Sequence, residues 1–160
     1  MEGRRVGGRP SDDELKRGKM ATISITQKQT PTFRAMVKDD LGRLFDVNTD
    51  LATTDELTSE GIAAAPIAVT IYRSTESLTP YESDIENAEI VAGFDSLAID
   101  SSAFLESETV QADGLNYNFQ WTPESRAVFP FDKVGYYFAD FIVYPKTGAA
   151  IVFRVGVIVK

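Results

Sequence analysis

Residues 135–159 read GYYFADFIVYPKTGAAIVFRVGVIV, and they carry the clearest structural pattern in the chain. Apolar residues alternate with other residues on both sides of a turn that runs from Pro145 to Gly148, and a period of two is typical of β-strands. Proline presets the backbone at the start of the turn, and glycine adopts the left-handed conformation that the turn needs. The stretch therefore predicts two antiparallel strands, Gly135–Tyr144 and Ala149–Val159.

The same alternation predicts further, shorter strands upstream. They lie at residues 22–26, 33–37, 44–47 and 67–71, with weaker candidates at 89–94 and 96–99. The dipeptide Asp113-Gly114 permits a tight turn with positive φ, so residues 109–121 are predicted to form a hairpin. Helix is limited to a short connector that a Thr53–Glu56 capping box opens and Gly61 ends. About seven short strands with little helix predict an all-β fold, a single sandwich over residues 21–160.

The first 20 residues have a different composition. Four glycines and Pro10 interrupt any periodicity, which predicts an extended, flexible N-terminal arm over residues 1–20. We expect its basic side chains to contact an acidic partner, and the residues concerned are Arg4, Arg5, Arg9, Lys16 and Arg17. Two alternatives are a solvated tail and, since Met20 opens a segment typical of a protein start, a leader made from an upstream start codon.

The rest of the chain is strongly acidic. Residues 21–160 carry 20 acidic and 10 basic side chains, a net charge of −10. Nucleic-acid binding requires Lys and Arg to neutralise phosphates, so no nucleic-acid partner is predicted. No apolar run approaches the roughly 18 residues of a membrane span, and the N-terminus lacks the apolar core of a signal peptide. No membrane partner is predicted either.

The chain contains neither histidine nor cysteine. Nucleophilic triads, thiolate zinc sites and disulfides are therefore excluded. Phosphate-binding glycine loops and nucleophile-elbow motifs do not occur in the sequence. Paired carboxylates remain the one catalytic option, and a sequence does not give their separation. The prediction is a non-enzymatic protein without a cofactor.

One string resembles part of a calcium-binding loop. Asp46, Asn48 and Asp50 match its first five positions, but Leu51 and Leu57 stand where the loop needs glycine and glutamate. These departures remove the sharp turn and the bidentate ligand. The prediction is an Asx-rich turn with no metal, and a weak surface calcium site is the alternative.

Eleven aromatic residues lie between positions 117 and 153. Because most of them alternate along predicted strands, we expect them to fill the core between two sheets. The alternative is a sugar-binding platform of exposed Tyr and Trp rings. Phe129 and Phe131 flank a proline in a predicted loop, where they either plug the end of the sandwich or contact a partner.

A family resemblance rests on four of these elements. Phe119-x-Trp121, Gly135-x-Tyr137, Gly148 and the closing alternating valines resemble the second half of an immunoglobulin-like domain, in which such a tyrosine makes a tyrosine corner. With a strand and turn at Thr32–Gly42, their order is similar to the immunoglobulin-like N-terminal domain of phage baseplate upper proteins and related small virion proteins. The resemblance covers about residues 22–159 and implies a docking or scaffolding role.

The expected function is therefore that of a non-enzymatic bacteriophage virion structural protein. It would serve as a capsid decoration, neck or tail-accessory subunit, located in the virion and bound to other virion proteins in a homo-oligomeric or multi-copy assembly. Val152 and Ile158 place apolar side chains on the outward face of the last strand, as expected where a partner covers it. The alternative is a bacterial surface or adhesion module, or a carbohydrate-binding β-sandwich module.

Overall fold

A computed structural model describes residues 21–27, 29–74, 88–123 and 130–160. These residues form a β-rich fold of two sheets with a few short helices, none of them long and apolar enough to cross a membrane. The strands are β1 (Ala21–Ile25), β2 (Phe33–Ala35), β3 (Ile67–Ser74), β4 (Ala88–Ile90), β5 (Leu97–Ala98), β6 (Phe119–Trp121), β7 (Gly135–Val143) and β8 (Ile151–Val159). The helices are α1 (Val47–Asp50), α2 (Thr54–Ser59) and α3 (Ser107–Asp113), with a 3-10 turn at Ser101–Ala103.

The larger sheet has the strand order β1-β8-β7-β3-β4, and β5 also pairs with β3. Strands β7 and β8 are antiparallel over their whole length, with Gly135 opposite Val159 and Val143 opposite Ile151. The hairpin predicted from residues 135–159 is thereby confirmed. Strand β1 runs parallel to β8 at the edge of the sheet, and all other pairs are antiparallel.

The smaller sheet consists of β2 and β6, with Phe33 opposite Trp121. Just beyond the end of this strand pair, the buried side chain of Asn118 takes the place of a backbone partner and forms two hydrogen bonds with the backbone of Val37. Its Oδ1 accepts from the Val37 N–H at 2.7 Å, and its Nδ2 donates to the Val37 carbonyl at 2.8 Å. The amide thus provides the partner of the buried Val37 N–H, and it shares the Val37 carbonyl with the Phe45 N–H, which donates to that carbonyl at 3.0 Å.

Aromatic rings join the two sheets. Phe141 of β7 is fully buried, and its ring centroid lies 5.4 Å from Phe33 and 5.3 Å from Phe119 of the smaller sheet. It also contacts Trp121 at 5.8 Å and Phe153 at 5.0 Å. Period-two alternation places these side chains on the facing sides of the sheets. The prediction that these aromatic residues pack into the core is confirmed.

Tyr137 anchors the start of β7. Its ring is fully buried, and its hydroxyl donates to the Lys133 carbonyl at 2.9 Å and accepts from the Lys133 N–H at 3.3 Å. Burial raises the pKa of the Tyr137 hydroxyl. The phenol therefore stays protonated and ties the strand to the chain four residues upstream.

Replacing Tyr137 by phenylalanine is expected to lower the free energy of unfolding by about 1 kcal/mol, because a buried hydrogen bond is lost. Urea denaturation followed by far-UV circular dichroism measures this change. Tyr136→Phe is the control, since that half-buried hydroxyl makes no hydrogen bond to a described residue. Equal effects of the two substitutions would contradict the anchoring role.

The hairpin predicted over residues 109–121 is wrong, because only part of its second strand forms, as β6, and β6 pairs with β2. Residues 107–113 form α3, which buries Val110. Gly114 has φ 61°, and its N–H donates to the carbonyls of Gln111 and Val110. The left-handed conformation of a glycine after an aspartate suits a helix C-terminus as well as a hairpin turn, so the dipeptide did not discriminate between them.

The strand predicted at residues 44–47 is also wrong. Leu44 makes an isolated bridge to Lys38, and Val47 already begins α1. The predicted capping box is present, because the Thr53 hydroxyl accepts from the Glu56 N–H and the Glu56 carboxylate accepts from the Thr53 N–H. Short helices thus replace part of the predicted strand content, and the fold is β-rich rather than purely β.

Candidate functional site

Most of the side chains predicted to bind a partner lie outside the described residues, namely Arg4, Arg5, Arg9, Lys16, Arg17 and Phe129. Phe131 is described, and it is buried. Its ring centroid lies 5.1 Å from Tyr137 and 6.3 Å from Phe33. Two roles were predicted for Phe131, namely filling the end of the sandwich and contacting a partner. Its buried position matches the first role, because the ring is not accessible to a partner.

The calcium-like string forms hydrogen bonds within itself. Asp46 Oδ1 accepts from the Asn48 N–H at 3.0 Å, and Asp50 Oδ2 accepts from the Asp46 N–H at 2.9 Å. These bonds cap α1 and match the predicted Asx-rich turn. Within the described ranges, no group of three or more acidic side chains is placed to hold a metal ion.

Trp121 borders a cleft of about 330 Å³ between β6 and the segment that contains β5. The indole is half-buried, stacked on Phe33 at 5.8 Å with an interplanar angle of 25°, and edge-on to Phe141. One face of the ring is therefore covered by the core. This packing does not provide the open aromatic platform that a sugar ring would stack on.

The outer face, the side of the larger sheet turned away from β2 and β6, provides the most extended candidate surface. Strand register places its side chains in rows that cross β3, β7 and β8. In order along the sheet, the rows are Tyr136 and Ile158; then Tyr72, Phe138 and Gly156; then Thr70, Asp140 and Arg154; and finally Ala68, Ile142 and Val152.

The last of these rows is apolar and borders a groove. Ala68 is buried, Ile142 is half-buried, and Val152 is 62% exposed. Together with Tyr144 and the short side chains of residues 63–65, they line a groove of about 410 Å³. The outward position predicted for Val152 from its strand alternation is confirmed.

The neighbouring row holds an ion pair that is neutral overall. Arg154 Nε lies 2.6 Å from Asp140 Oδ1, and its Nη2 donates to Asp140 Oδ2 at 2.9 Å. This bidentate geometry is the strong form of an arginine–carboxylate pair. The guanidinium also lies 5.1 Å from the ring centroid of Phe138, which is fully buried. A cation–π contact and an ion pair therefore hold Arg154 flat against the sheet.

Tyrosines complete this surface. Tyr72, Tyr136 and Tyr144 are half-buried, so each leaves part of its ring accessible. Burial raises the pKa of Tyr72, and the neighbouring Asp140 carboxylate raises it further, so this phenol is neutral at physiological pH. A nearby loop is held against the sheet because the Ser96 N–H donates to Thr70 Oγ1 at 2.9 Å.

Charge is distributed unevenly between this sheet and the remainder of the protein. The strands of the larger sheet contain two acidic residues, Glu89 and Asp140, and two basic residues, Arg73 and Arg154. Their net charge is zero. The net charge of −10 of residues 21–160 therefore lies entirely outside these strands.

Such a surface suits contact with another protein. Tyr, Phe and Arg are enriched in the buried centres of protein interfaces, whereas Lys, Glu and Asp are depleted. On the outer face the tyrosines and Arg154 keep part of their surface exposed beside the exposed Val152, whereas Phe138 is fully buried. Sequence alternation had indicated only the contribution of β8, because the rows across the sheet depend on register between distant strands. Comparisons with protein-family models, curated proteins and solved structures find no match to this chain.

Proposed function

We propose that this chain is a non-enzymatic structural subunit of a bacteriophage particle, an immunoglobulin-like sandwich that docks on other virion proteins through the outer face. The observation that carries the proposal is the outer face itself. It combines aromatic and arginine side chains, no net charge over its strands, and an exposed valine in an otherwise acidic protein. A docking surface of this kind serves assembly rather than catalysis.

The strand order supports an immunoglobulin-like sandwich. The order β8-β7-β3 corresponds to strands G, F and C of such domains, with β4 in the place of the C′ strand. The pair β2-β6 corresponds to strands B and E of the opposite sheet. The Tyr137 hydroxyl bound to the Lys133 carbonyl corresponds to the tyrosine corner. These correspondences support the immunoglobulin-like part of the proposal.

Mass spectrometry of purified particles tests the proposal. We expect the protein in particles of the phage that encodes it, and its absence from them would overturn the proposal. Copy number relative to the major capsid protein then separates the possible locations. A high copy number indicates capsid decoration, and a low one indicates a neck or tail position.

A charge substitution tests whether the outer face is the docking surface. Val152→Glu in the phage genome is expected to reduce incorporation of the protein at least about tenfold, because a desolvated carboxylate costs more than 1.4 kcal/mol in an apolar contact. Leu41→Glu is the control, since Leu41 is 76% exposed in the turn between Asp39 and Gly42 and does not belong to the rows of the outer face. Equal incorporation of both variants would contradict this assignment.

A further inference from the structure

We propose that the cleft beside Trp121 binds an extended peptide segment of another protein, which pairs with β6 as an added strand. This interaction goes beyond the proposed function and does not depend on the outer face, because the cleft lies between β6 and the segment that contains β5. Three properties of the described residues carry the proposal: the backbone groups at two sheet edges, the apolar lining of the cleft, and its acidic rim.

The edge of β6 opposite β2 is only partly occupied by the chain itself. Phe104 makes an isolated bridge to Phe119 at this edge. Next to the bridge, the Leu105 N–H donates to the Asn118 carbonyl at 2.7 Å. The chain then leaves the edge, because residues 101–103 form the 3-10 turn. Among the described residues, no strand therefore pairs with β6 on this side beyond the bridge.

Beyond the bridge, the backbone of β6 presents hydrogen-bonding groups to the cleft. The carbonyls of alternate residues in a strand point to the same edge, so the Gln120 carbonyl points to the same side as the Asn118 carbonyl. The Thr122 N–H follows the same alternation. Both residues are exposed and line the cleft. An incoming strand can therefore donate to the Gln120 carbonyl and accept from the Thr122 N–H.

The opposite wall of the cleft is the edge of the larger sheet. Strand β5 pairs with β3 on one side, where the Ile99 N–H donates to the Ile67 carbonyl at 2.9 Å. By the same alternation, the N–H and carbonyl of Ala98 point to the other side. Ala98 is exposed and lines the cleft. Two sheet edges thus border the cleft, and their alternating donors and acceptors match the backbone of an extended peptide.

The inner lining of the cleft is apolar. Phe94 and Ile99 are buried, and Leu97 and Trp121 are half-buried. The volume of about 330 Å³ is close to that of two residues in a sheet. Each occupies about 160 Å³ at a rise of about 3.3 Å, a strand spacing of about 4.8 Å and a sheet distance of about 10 Å. Because side chains alternate between the faces of a strand, the cleft suits one apolar side chain of the bound segment.

The charge at the rim specifies a second feature of the partner. Asp100 is exposed there, and its Oδ1 accepts from the Ser102 N–H at 2.8 Å. This backbone hydrogen bond lowers the pKa of the Asp100 carboxyl, so the group is ionised at neutral pH. The described residues that line the cleft include no basic side chain, and the nearby Arg34 donates to Gln120 Oε1 at 2.9 Å. We therefore expect Lys or Arg in the bound segment, beside the apolar residue.

Selection from a random peptide library, with the purified full chain as the target, tests the site. We expect the selected peptides to alternate apolar with other residues and to contain Lys or Arg. Asp100→Asn should weaken the binding of a selected peptide about two- to fivefold, because the amide still caps the 3-10 turn but carries no charge. Asp55→Asn is the matched control, since Asp55 is exposed and does not line the cleft. A selection that yields no peptide for the wild-type chain, or equal effects of the two substitutions, overturns the inference.

Amide hydrogen exchange, followed for each residue by NMR, shows whether the peptide binds as a strand. We expect exchange of the Thr122 N–H to slow at least about tenfold when a selected peptide is bound, since this group then donates to the added strand. The N–H of Gly148, in the turn between β7 and β8, is the reference and should keep its rate. Unchanged exchange at Thr122 with the peptide bound overturns the inference, because the peptide is then held by its side chains alone.

Other occupants of the cleft give different results in the same measurement. Slower exchange at Thr122 on addition of glucose or galactose, without any effect of the peptides, indicates a sugar site. Slower exchange at Thr122 when only the protein concentration is raised indicates a strand of a second copy. Either result overturns the inference.

These outcomes are independent of the proposed function. A chain that is present in phage particles but binds no peptide in the cleft overturns this inference and leaves the proposed function intact. A chain that binds peptides as an added strand but is absent from the particles overturns the proposed function and leaves this inference intact.

Discussion

Phe141→Ala is expected to lower the free energy of unfolding by about 3–5 kcal/mol, the range for aromatic truncation in a core. The ring of Phe141 contacts Phe33 and Phe119 of one sheet and Phe153 of the other, all with centroids within 5.4 Å. Its removal leaves a cavity at the point where the two sheets meet. Urea denaturation followed by far-UV circular dichroism measures the loss.

Val152→Ala is the matched control, because it shortens an apolar side chain of the neighbouring strand β8. The Val152 side chain lies on the outer face and is 62% exposed. We expect it to change stability by no more than about 0.5 kcal/mol. If Phe141→Ala does not fold, Phe141→Leu retains part of the volume and allows the same comparison. A loss at Phe141 no larger than at Val152 would contradict the packing described for the core.

Asn118→Ala is expected to lower the free energy of unfolding by about 1–3 kcal/mol, although it removes only a small polar side chain. Without the amide of Asn118 the buried Val37 N–H has no partner, which costs about 1–3 kcal/mol, whereas the Val37 carbonyl keeps the hydrogen bond from the Phe45 N–H. Denaturant unfolding measures the change. Asn48→Ala is the control, since Asn48 is exposed, and we expect an effect within about 0.5 kcal/mol.

Asn118→Asp separates the two hydrogen bonds. An ionised carboxylate still accepts from the Val37 N–H, but it has no donor for the Val37 carbonyl. Burial raises the pKa of the introduced carboxyl in the folded state, so protonation favours folding. The variant should therefore be closest to wild-type stability below the unfolded carboxyl pKa of about 4 and should lose stability as the pH rises. A pH-independent difference from the wild type would contradict this role of Asn118.

Sequence patterns correctly predicted those elements for which several signals within a short segment indicate the same secondary structure. The hairpin of β7 and β8 follows from alternation on both sides of a proline–glycine turn, and α2 follows from its capping box. Gly114 shows where such signals fail. A glycine with φ 61° fits a hairpin or a helix end equally well, and the burial of Val110 within α3 decided between them.

The outer face was only partly predictable from the sequence. Alternation in β8 identified Val152, because inward and outward positions follow directly from the pleat. It could not place Ala68 beside Ile142, since these residues are 74 positions apart along the chain and are brought together by the register between β3 and β7. The uncharged character of the surface emerges only when these strands are assembled.

Sequence patterns alone predicted a chain built mainly of strands and the C-terminal hairpin, and composition alone established the acidic character of residues 21–160 and the absence of histidine and cysteine. The contacts of Phe141 with rings from both sheets, and the hydrogen bonds of Asn118 with Val37, 81 residues away, are visible only in the folded chain. Alternation and turn preferences act only between residues that are near neighbours in the chain. Partners distant in the chain are selected by packing and by the need to satisfy buried polar groups.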